Sequence, residues 1–278
     1  MRAIVQNAYG GLEVLAEAEL PVPEPGPGEI RVRVRAAGVN PTDWKHRAGP
    51  MSLSRLPLVL GWDVAGTVDR TGPGVTVLSE GDEVFGTLPY PQAGGAYAEY
   101  ATAPADVFVE KPGTIDFVQA AALPLASLTA WQSLHDVDGL GAGQRVLIQG
   151  AAGGVGHLAV QIAHHLGAEV IATAAEGDLE FIRGLGADRA LDYRATHIRA
   201  EVHDVDAALV PFAGTTRVDS MYTVRQGGTI VTLLGTEPDG PGRARCARIG
   251  RTLPLSQAAQ AHRLGETGRI NGKLVLIP

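Results

Sequence analysis

The chain has a single cysteine, Cys246, in 278 residues. One thiol excludes an internal disulfide and any cysteine-rich zinc site. No apolar run approaches the roughly 20 residues that cross a bilayer. The N-terminal stretch Met1-Arg-Ala-Ile-Val-Gln6 lacks the apolar core of a secretory signal. Positive charge is not in excess either: the net charge of −7 argues against nucleic acid or an anionic membrane as the main partner. These absences leave a cytoplasmic enzyme acting on a small molecule as the default expectation. What is abundant is glycine, at 36 residues, and proline, at 18, and both point to many tight turns.

The glycines gather in the most informative stretch, Arg145-Val-Leu-Ile-Gln-Gly-Ala-Ala-Gly-Gly-Val-Gly-His157. Val146 to Ile148 form a short apolar run, as in a strand buried on both faces. Gly150 to Gly156 make a turn with almost no side chains. Val155, Leu158, Ala159, Ile162, Ala163 and Leu166 then recur at helical spacing, and Gly167 is placed to end the helix. A second strand, Ala168 to Thr173, follows at once. Strand, glycine turn and helix in that order build an anion site, because bare backbone approaches a pyrophosphate and the helix N-terminus supplies N–H groups and a positive dipole end. Against the pattern G-x-G-x-x-G the first glycine is missing, since the run is Ala151-Ala-Gly153-Gly154-Val-Gly156. The bland alternative is that these glycines serve only close helix–strand packing.

Residues 1 to about 110 read as short strands between Gly/Pro turns. Ala3–Gln6, Val14–Ala18, Ile30–Ala36, Gly61–Asp69, Asp82–Gly86 and Gly94–Thr102 are the candidates, with Pro21–Gly28 a rigid extended connector. That pattern predicts a small barrel-like β domain. Asp116 to Leu134 reads as helix interrupted at Pro124. From Gln144 strands and helices alternate: Val170–Thr173, Leu179–Leu185, Ala190–Asp192, Ala207–Val210 and Thr229–Leu234. This predicts a parallel sheet covered on both faces. A helix over Ser256–Leu264 and a strand over Lys273–Ile277 close the chain. The expected fold is α/β, with a β domain over 1–115 rejoined by 254–278 and a dinucleotide-binding domain over 116–253.

Several stretches, in order along the chain, resemble the medium-chain dehydrogenase/reductase superfamily in its zinc-free quinone oxidoreductase branch. They are Arg35-Ala-Ala-Gly-Val-Asn-Pro-Thr-Asp43, Gly61-Trp-Asp-Val-Ala-Gly66, Gly95-Ala-Tyr-Ala-Glu-Tyr100, Gln149–Gly156, Leu185-Gly-Ala-Asp-Arg-Ala-Leu-Asp-Tyr193 and Gly268-Arg-Ile-Asn-Gly-Lys-Leu-Val-Leu276. The resemblance implies a GroES-like β-barrel domain, a Rossmann doubly wound parallel sheet, and a cleft between them for cofactor and substrate. Zinc-dependent relatives draw ligands from a Cys and a Gly-His-Glu segment. The matching positions here are Asn40 and Gly61-Trp62-Asp63, and the third ligand position falls in the apolar run Leu123–Ala126. Trp62 cannot ligate a metal, so no metal site is expected. The resemblance implies instead hydride transfer from NADPH to a quinone or an α,β-unsaturated carbonyl, where hydrogen bonds and a proton suffice for the charge that develops.

NADPH is preferred over NADH because no carboxylate stands at the end of the second Rossmann strand, where Ala174 and Ala175 lie. Tyr193 matches a family tyrosine that contacts the 2′-phosphate. Glu176 and Asp178 weigh against this, and Arg183 and Arg194 are the candidates to compensate. By the same matching, Asn40 and Thr129 lie near the nicotinamide, Gly153, Gly154 and Val155 cradle the pyrophosphate, and Leu233, Leu234 and Gly235 end the strand beside the nicotinamide. Asn271 and Lys273 lie in the segment that closes the cleft. Asn40, Asp43 and Thr129 are the catalytic candidates, although Asp43 has a simpler role in bracing its loop. Ordinary helix or core positions are the bland readings of Thr129, Leu233 and Leu234. The paired His164 and His165 read as a solvent-exposed helix face.

The chain departs from the family between Thr236 and Leu253, where about thirty residues, enough for one strand–helix unit, are missing. A truncated Rossmann sheet is therefore expected, and with it a monomer or an atypical homodimer. Arg243, Arg245, Arg248 and Arg251 cluster there, as a solvated loop or a phosphate contact. Two other functions fit the same residues: an NADP-binding protein without turnover, and a lyase or cyclase that kept the fold without hydride transfer.

Overall fold

The alternation of Ile30-Arg-Val-Arg-Val-Arg35 is realised in a computed structural model that describes residues 1–51, 56–92, 94–135, 137, 140–212, 214–233, 249–268, 270 and 273–278. Val32 and Val34 are buried, and Arg33 and Arg35 face out. In chain order the first elements are β1 (Arg2–Gln6), β2 (Leu15–Glu19), β3 (Glu29–Val39), α1 (Pro41–Ala48), β4 (Leu58–Val59), β5 (Asp63–Thr71), β6 (Glu83–Thr87), β7 (Tyr100–Pro104) and β8 (Phe108–Glu110). Then come α2 (Phe117–Ala121) and α3 (Pro124–His135), a helical stretch broken just ahead of Pro124. The alternating units follow: β9 (Arg145–Ile148), α4 (Gly156–His165), β10 (Glu169–Ala174), α5 (Leu179–Gly184), β11 (Arg189–Asp192), α6 (Ile198–Glu201), β12 (Val205–Val210), α7 (Thr215–Met221) and β13 (Val224–Thr232). Last are β14 (Ile249–Pro254), α8 (Ala258–Glu266) and β15 (Lys273–Ile277).

The chain divides into two compact units, Met1–Leu125 with Arg248–Pro278, and Ala126–Ala247. The first change falls later than residue 115 because α2 packs on β3, β5, β14 and β15 of the first unit. In that unit β2-β1-β4 form a small antiparallel sheet, and β14-β15-β3-β5-β6-β8 form a larger one, with β7 also paired to β3. Leu253, Leu255, Leu274 and Leu276 of the returning segment are buried in the same core as Ile30, Val32, Val64 and Tyr97. Full burial of each such leucine stabilises by about 1.5–3 kcal/mol, enough to hold the return in place.

Two registers decide where the polar groups of this unit go. β15 runs antiparallel to β3 with Leu274 opposite Val39 and Val275 opposite Gly38. On its other side β3 pairs with β5, with Asp63 opposite Gly38. The first residue of β5 and the first of β15 therefore flank the end of β3. The strand expected over Gly94–Thr102 begins only at Tyr100. The amides of Gly95 and Ala96 bond to the Gly61 carbonyl and that of Tyr97 to Leu60, and this turn drives the Tyr97 ring into the core.

In the second unit all strands are parallel, in the order β11-β10-β9-β12-β13. This is the dinucleotide-binding order 3-2-1-4-5, and among the described residues no sixth strand lies beyond β13. Leu147, Ile171, Ala208 and Val210 form its buried centre. Of the stretch Thr236–Leu253, where the sequence points to a deletion, the part up to residue 248 lies outside the described residues, and the rest enters β14. No helix among the described residues is long and apolar enough to cross a membrane.

Candidate active site

In the second unit the chain leaves β9 and turns back into α4 across Gly150. That residue has φ +64°, and a Cβ there would stand 2.8 Å from the Phe212 ring, so only glycine fits without strain. Gly156 opens α4 directly under the turn; a Cβ on it would lie 2.3 Å from the Gly150 carbonyl oxygen and 2.7 Å from Cα of Ala151. The close approach seats the helix N-terminus at the end of the central strand. Buried hydrogen bonds hold the turn from behind. Thr173 Oγ1 donates to Gln149 Oε1 (2.6 Å) and accepts from the Gly150 amide (3.2 Å), and Gln149 Nε2 donates to Ser220 Oγ (3.1 Å). His157, fully buried, carries its proton on Nδ1, because it donates to the Gly153 carbonyl at 2.7 Å and a carbonyl only accepts. Gly153, Gly154 and Val155 are left half-exposed ahead of the helix. The Gly153 amide bonds to the Gly150 carbonyl at 2.9 Å, and the positive end of α4 with the backbone ahead of it has the chemistry to attract an anion.

One strand over, β10 ends at the buried Ala174, which pairs in register with Asp192, and the Tyr193 amide bonds to the Ala174 carbonyl at 3.2 Å. No carboxylate stands at Ala174 or at the half-buried Ala175. Tyr193 is half-exposed, and the Arg194 guanidinium lies 5.2 Å from the centre of its ring. Arg183 is engaged elsewhere, in an ion pair with Glu180 on α5. Thr129 is half-buried on α3 of this unit, and Leu233 is half-buried just past β13. Leu234, Gly235, Asn271, Arg243, Arg245 and Arg248 lie outside the described residues, whereas Arg251 is exposed, as are His164 and His165.

The first unit holds a buried polar cluster. Asn40 caps α1, its amide donating to Asp43 Oδ2 at 2.6 Å while the Asp43 amide donates to the Asn40 carbonyl at 3.0 Å. Asp43 thus braces its loop. The Asn40 side chain is gripped at both ends: Nδ2 donates to Asp63 Oδ2 at 2.8 Å, and Oδ1 accepts from Lys273 Nζ. Asp63 also accepts the Leu125 amide at 2.9 Å, tying down the first turn of α3, and its Oδ2 lies 3.8 Å from the Lys273 ammonium. Burial pushes the Asp43 carboxyl up to about 7, with the Asn40 amide opposing and the like charge of Asp63 reinforcing the rise. Burial also raises Asp63, against the pull of Lys273, and lowers Lys273, against the pull of both carboxylates.

Behind Asp43 the network runs to the surface. Arg47 donates to Nδ1 of His262 (3.2 Å), to the Gly10 carbonyl (3.2 Å) and to Glu266 (2.6 Å). A guanidinium only donates, so the His262 proton sits on Nε2, 3.3 Å from the Tyr97 hydroxyl. Burial, then the charge of Arg47, pushes His262 down to about 3, and burial with the Asp43 carboxylate holds the Tyr97 phenol well above its ordinary range.

The neighbouring Asn40 and Asp43 are therefore brought together with Lys273, which is distant in sequence. Asp63, which sequence reasoning placed only in a matching segment, is the shared partner of Asn40 and Lys273. The available signal was a carboxylate inside the apolar run Leu58-Val-Leu-Gly-Trp-Asp-Val-Ala65, since a charge buried there needs partners. His157 and Gln149 gave no such signal. Trp62 is fully buried, with Nε1 donating to the Gln92 carbonyl at 3.0 Å. Among the described residues no three His, Cys, Asp or Glu side chains are grouped to hold a metal.

Residues 26–113 match the family model described as alcohol dehydrogenase GroES-like domain, and residues 154–252 match that described as zinc-binding dehydrogenase. An NADPH-dependent alkenal/one oxidoreductase of Arabidopsis thaliana chloroplasts is 35% identical, the match covering 100% of this chain and 80% of that protein. That alignment runs over 311 positions against the 278 residues here, so the relative carries residues that this chain lacks. The quinone oxidoreductase structure from Coxiella burnetii superposes with a TM-score of 0.93 at 32% identity, over 100% of this chain and 99% of that one. Mycobacterial Rv1454c complexed with NADPH superposes with a TM-score of 0.88 at 30% identity, over 100% of both chains. Glycine turn, strand order and paired relatives agree: the chain belongs to the medium-chain dehydrogenase/reductase superfamily, in its quinone and enone oxidoreductase branch.

Proposed function

We propose that this protein is an NADPH-dependent oxidoreductase that reduces a quinone or an α,β-unsaturated carbonyl without zinc. The observation that carries the reading is the cradle at Gly153–Val155, backed by Gly156 and sealed by the Gln149–Thr173–Ser220 bonds. It fits a pyrophosphate, and the missing carboxylate at Ala174 together with the Tyr193–Arg194 pair fits a 2′-phosphate. The bound dinucleotide would supply a hydride. Asn40 and Lys273 are the polar groups of the first unit proposed to orient the substrate, and Thr129 is the candidate of the second. Trp62 and Asn40 at the positions of the relatives' metal ligands support a mechanism in which hydrogen bonds take the part of a Lewis acid. A monomer, or a homodimer of different build from a sheet with a sixth strand, accords with β13 as the last strand among the described residues.

The test is a spectrophotometric assay. NADPH absorbance is followed with 1,4-naphthoquinone and with an acyclic enone. Oxidation with either acceptor, at a lower KM for NADPH than for NADH and undiminished after chelator treatment, is the expected result. Tight NADPH binding with no oxidation would identify a binding protein, and neither binding nor oxidation would leave a non-redox role on this fold.

A further inference from the structure

We propose that the face of the Phe212 ring is the surface on which the adenine base of the dinucleotide stacks. This rests on the function proposed above and assigns the base contact of that same site, within the second unit alone.

The strand order β11-β10-β9-β12-β13 turns back on itself at one place. From β9 the chain steps outward to β10 and β11, then returns to the other side of β9 for β12 and β13. Connections diverge at such a switch point, and a parallel sheet opens a ligand crevice at the carboxyl ends of the two strands that flank it. Those strands are β9 and β12. Gly150 lies two residues past the end of β9, and Phe212 two residues past the end of β12. The two ends are locked together: Leu209 stands opposite Ile148, and the Gln149 amide donates to the Leu209 carbonyl at 3.0 Å. Pro211, with its fixed φ, carries the chain from the fully buried Val210 to Phe212.

Phe212 is anchored yet uncovered. Its Cε2 and Cζ atoms stand over Gly150, where a Cβ would be 2.8 Å from each. The ring is thus seated by its outer edge on a residue without a side chain, and Phe212 remains 48% exposed. A ring held by its edge at the mouth of a crevice has a face to offer another ring.

The neighbours of Gly150 decide which ring that is. Its amide donates to Thr173 Oγ1 at 3.2 Å, and Thr173 immediately precedes Ala174, the end of β10 that the function above gives to the phosphorylated ribose. β9 and β10 pair directly. Neighbouring strands lie about 4.8 Å apart, so the seat of Phe212 and the end of β10 are one strand spacing from each other. A base bonded to that ribose covers such a span. The nicotinamide is separated from the same ribose by the pyrophosphate and a second ribose. Ala174 and Ala175 give the base apolar contact and no side-chain hydrogen bond, which leaves stacking as the interaction that this end of the site supplies.

The variants are Phe212→Leu, which keeps an apolar side chain above Gly150 but has no aromatic face, and Phe212→Ala, which removes both. The ligands are NADPH and two that carry only the adenosine half, 2′,5′-ADP and 5′-AMP. By calorimetry Phe212→Leu should weaken all three by a common factor of about ten, within the range of one base–aromatic stack, and Phe212→Ala by at least as much. Arg194→Ala is the contrast: it should weaken NADPH and 2′,5′-ADP and leave 5′-AMP, which has no 2′-phosphate, unchanged. A second readout reports the stack itself. The chain has five phenylalanines, so the ring protons of Phe212 can be assigned by their loss in Phe212→Leu. In the wild-type complex with 2′,5′-ADP they should show NOEs to adenine H2 or H8, and those adenine signals should move upfield under the ring current. A loss of NADPH affinity with 2′,5′-ADP unchanged would turn the ring to the nicotinamide half and overturn the inference. Unchanged affinities in both Phe212 variants, or a wild-type complex without these NOEs, would overturn it as well while leaving the proposed function standing. Wild-type protein that binds none of the three ligands would overturn the proposed function, and this inference with it.

Discussion

Replacing Gly156 by alanine adds one methyl group at the tightest point of the nucleotide turn. That methyl carbon would lie 2.3 Å from the Gly150 carbonyl oxygen and 2.7 Å from Cα of Ala151, both of them backbone atoms that no rotamer change can move aside. Relief to an ordinary contact requires α4 to withdraw from β9 by about 1 Å, and overpacking of that kind costs about 1–3 kcal/mol. Withdrawal also pulls the amides of Gly154 and Val155 off the line of the cradle, and a misplacement of about 1 Å is worth about a hundredfold in a positioned site. The expected outcome is a loss of about 1–3 kcal/mol in urea unfolding and a rise in the NADPH dissociation constant larger than that loss of stability explains. Two controls grade the effect. In Gly153→Ala the new carbon would stand 3.2 Å from the same oxygen, a tight contact that small shifts relieve, and in Gly177→Ala it would meet nothing within 4 Å. Urea titration with fluorescence-detected NADPH binding orders the three. If Gly156→Ala matches Gly177→Ala in both measurements, α4 does not abut the turn as described, and the cradle is misassigned.

The other expectations concern the buried cluster and the cofactor. Asp63→Ala leaves the Asn40 side-chain amide and the Leu125 amide without their acceptor and Lys273 without its ion-pair carboxylate and should destabilise by about 3–5 kcal/mol; a loss below 1 kcal/mol in urea would remove Asp63 from its central place. His262, held at about 3 when folded, stays neutral while the unfolded chain takes up a proton as pH falls below 6.5. Wild-type stability minus that of His262→Phe should therefore rise with pH between about 3 and 6.5, by about 1.4 kcal/mol per pH unit, and a flat difference in pH-dependent urea melts would refute the buried neutral state. Ala175→Asp sets a carboxylate beside the end of β10 and should weaken NADPH about tenfold while improving NADH, checked by KM for each; an unchanged ratio would place the adenosine ribose elsewhere.

Much of this molecule is legible in local sequence because local physics decides it. The alternation at Ile30–Arg35 and the helical spacing from Val155 to Leu166 each specify a buried face, since strand and helix periods are set by the backbone itself. The bare run from Gly150 to Gly156 announces a turn that nothing bulkier can make, and Ala174 and Ala175, at and just past the end of β10, announce a missing carboxylate. No periodicity, however, tells where Asp63 and Lys273 end up. They meet Asn40 because β5 and β15 pair on opposite sides of β3 in registers that align Asp63 and Val275 with Gly38. A slip of one residue in either pairing would turn the side chain to the other face. The late start of β7, which sends Tyr97 inward, and the long reach from Arg47 to His262 and Glu266 likewise depend on contacts between distant segments. Sequence alone determined which elements form and that a dinucleotide turn is present. Tertiary structure alone decided which charges share a buried site, because that depends on strand register and helix packing across more than two hundred residues of chain, as the Lys273–Asn40 bond attests.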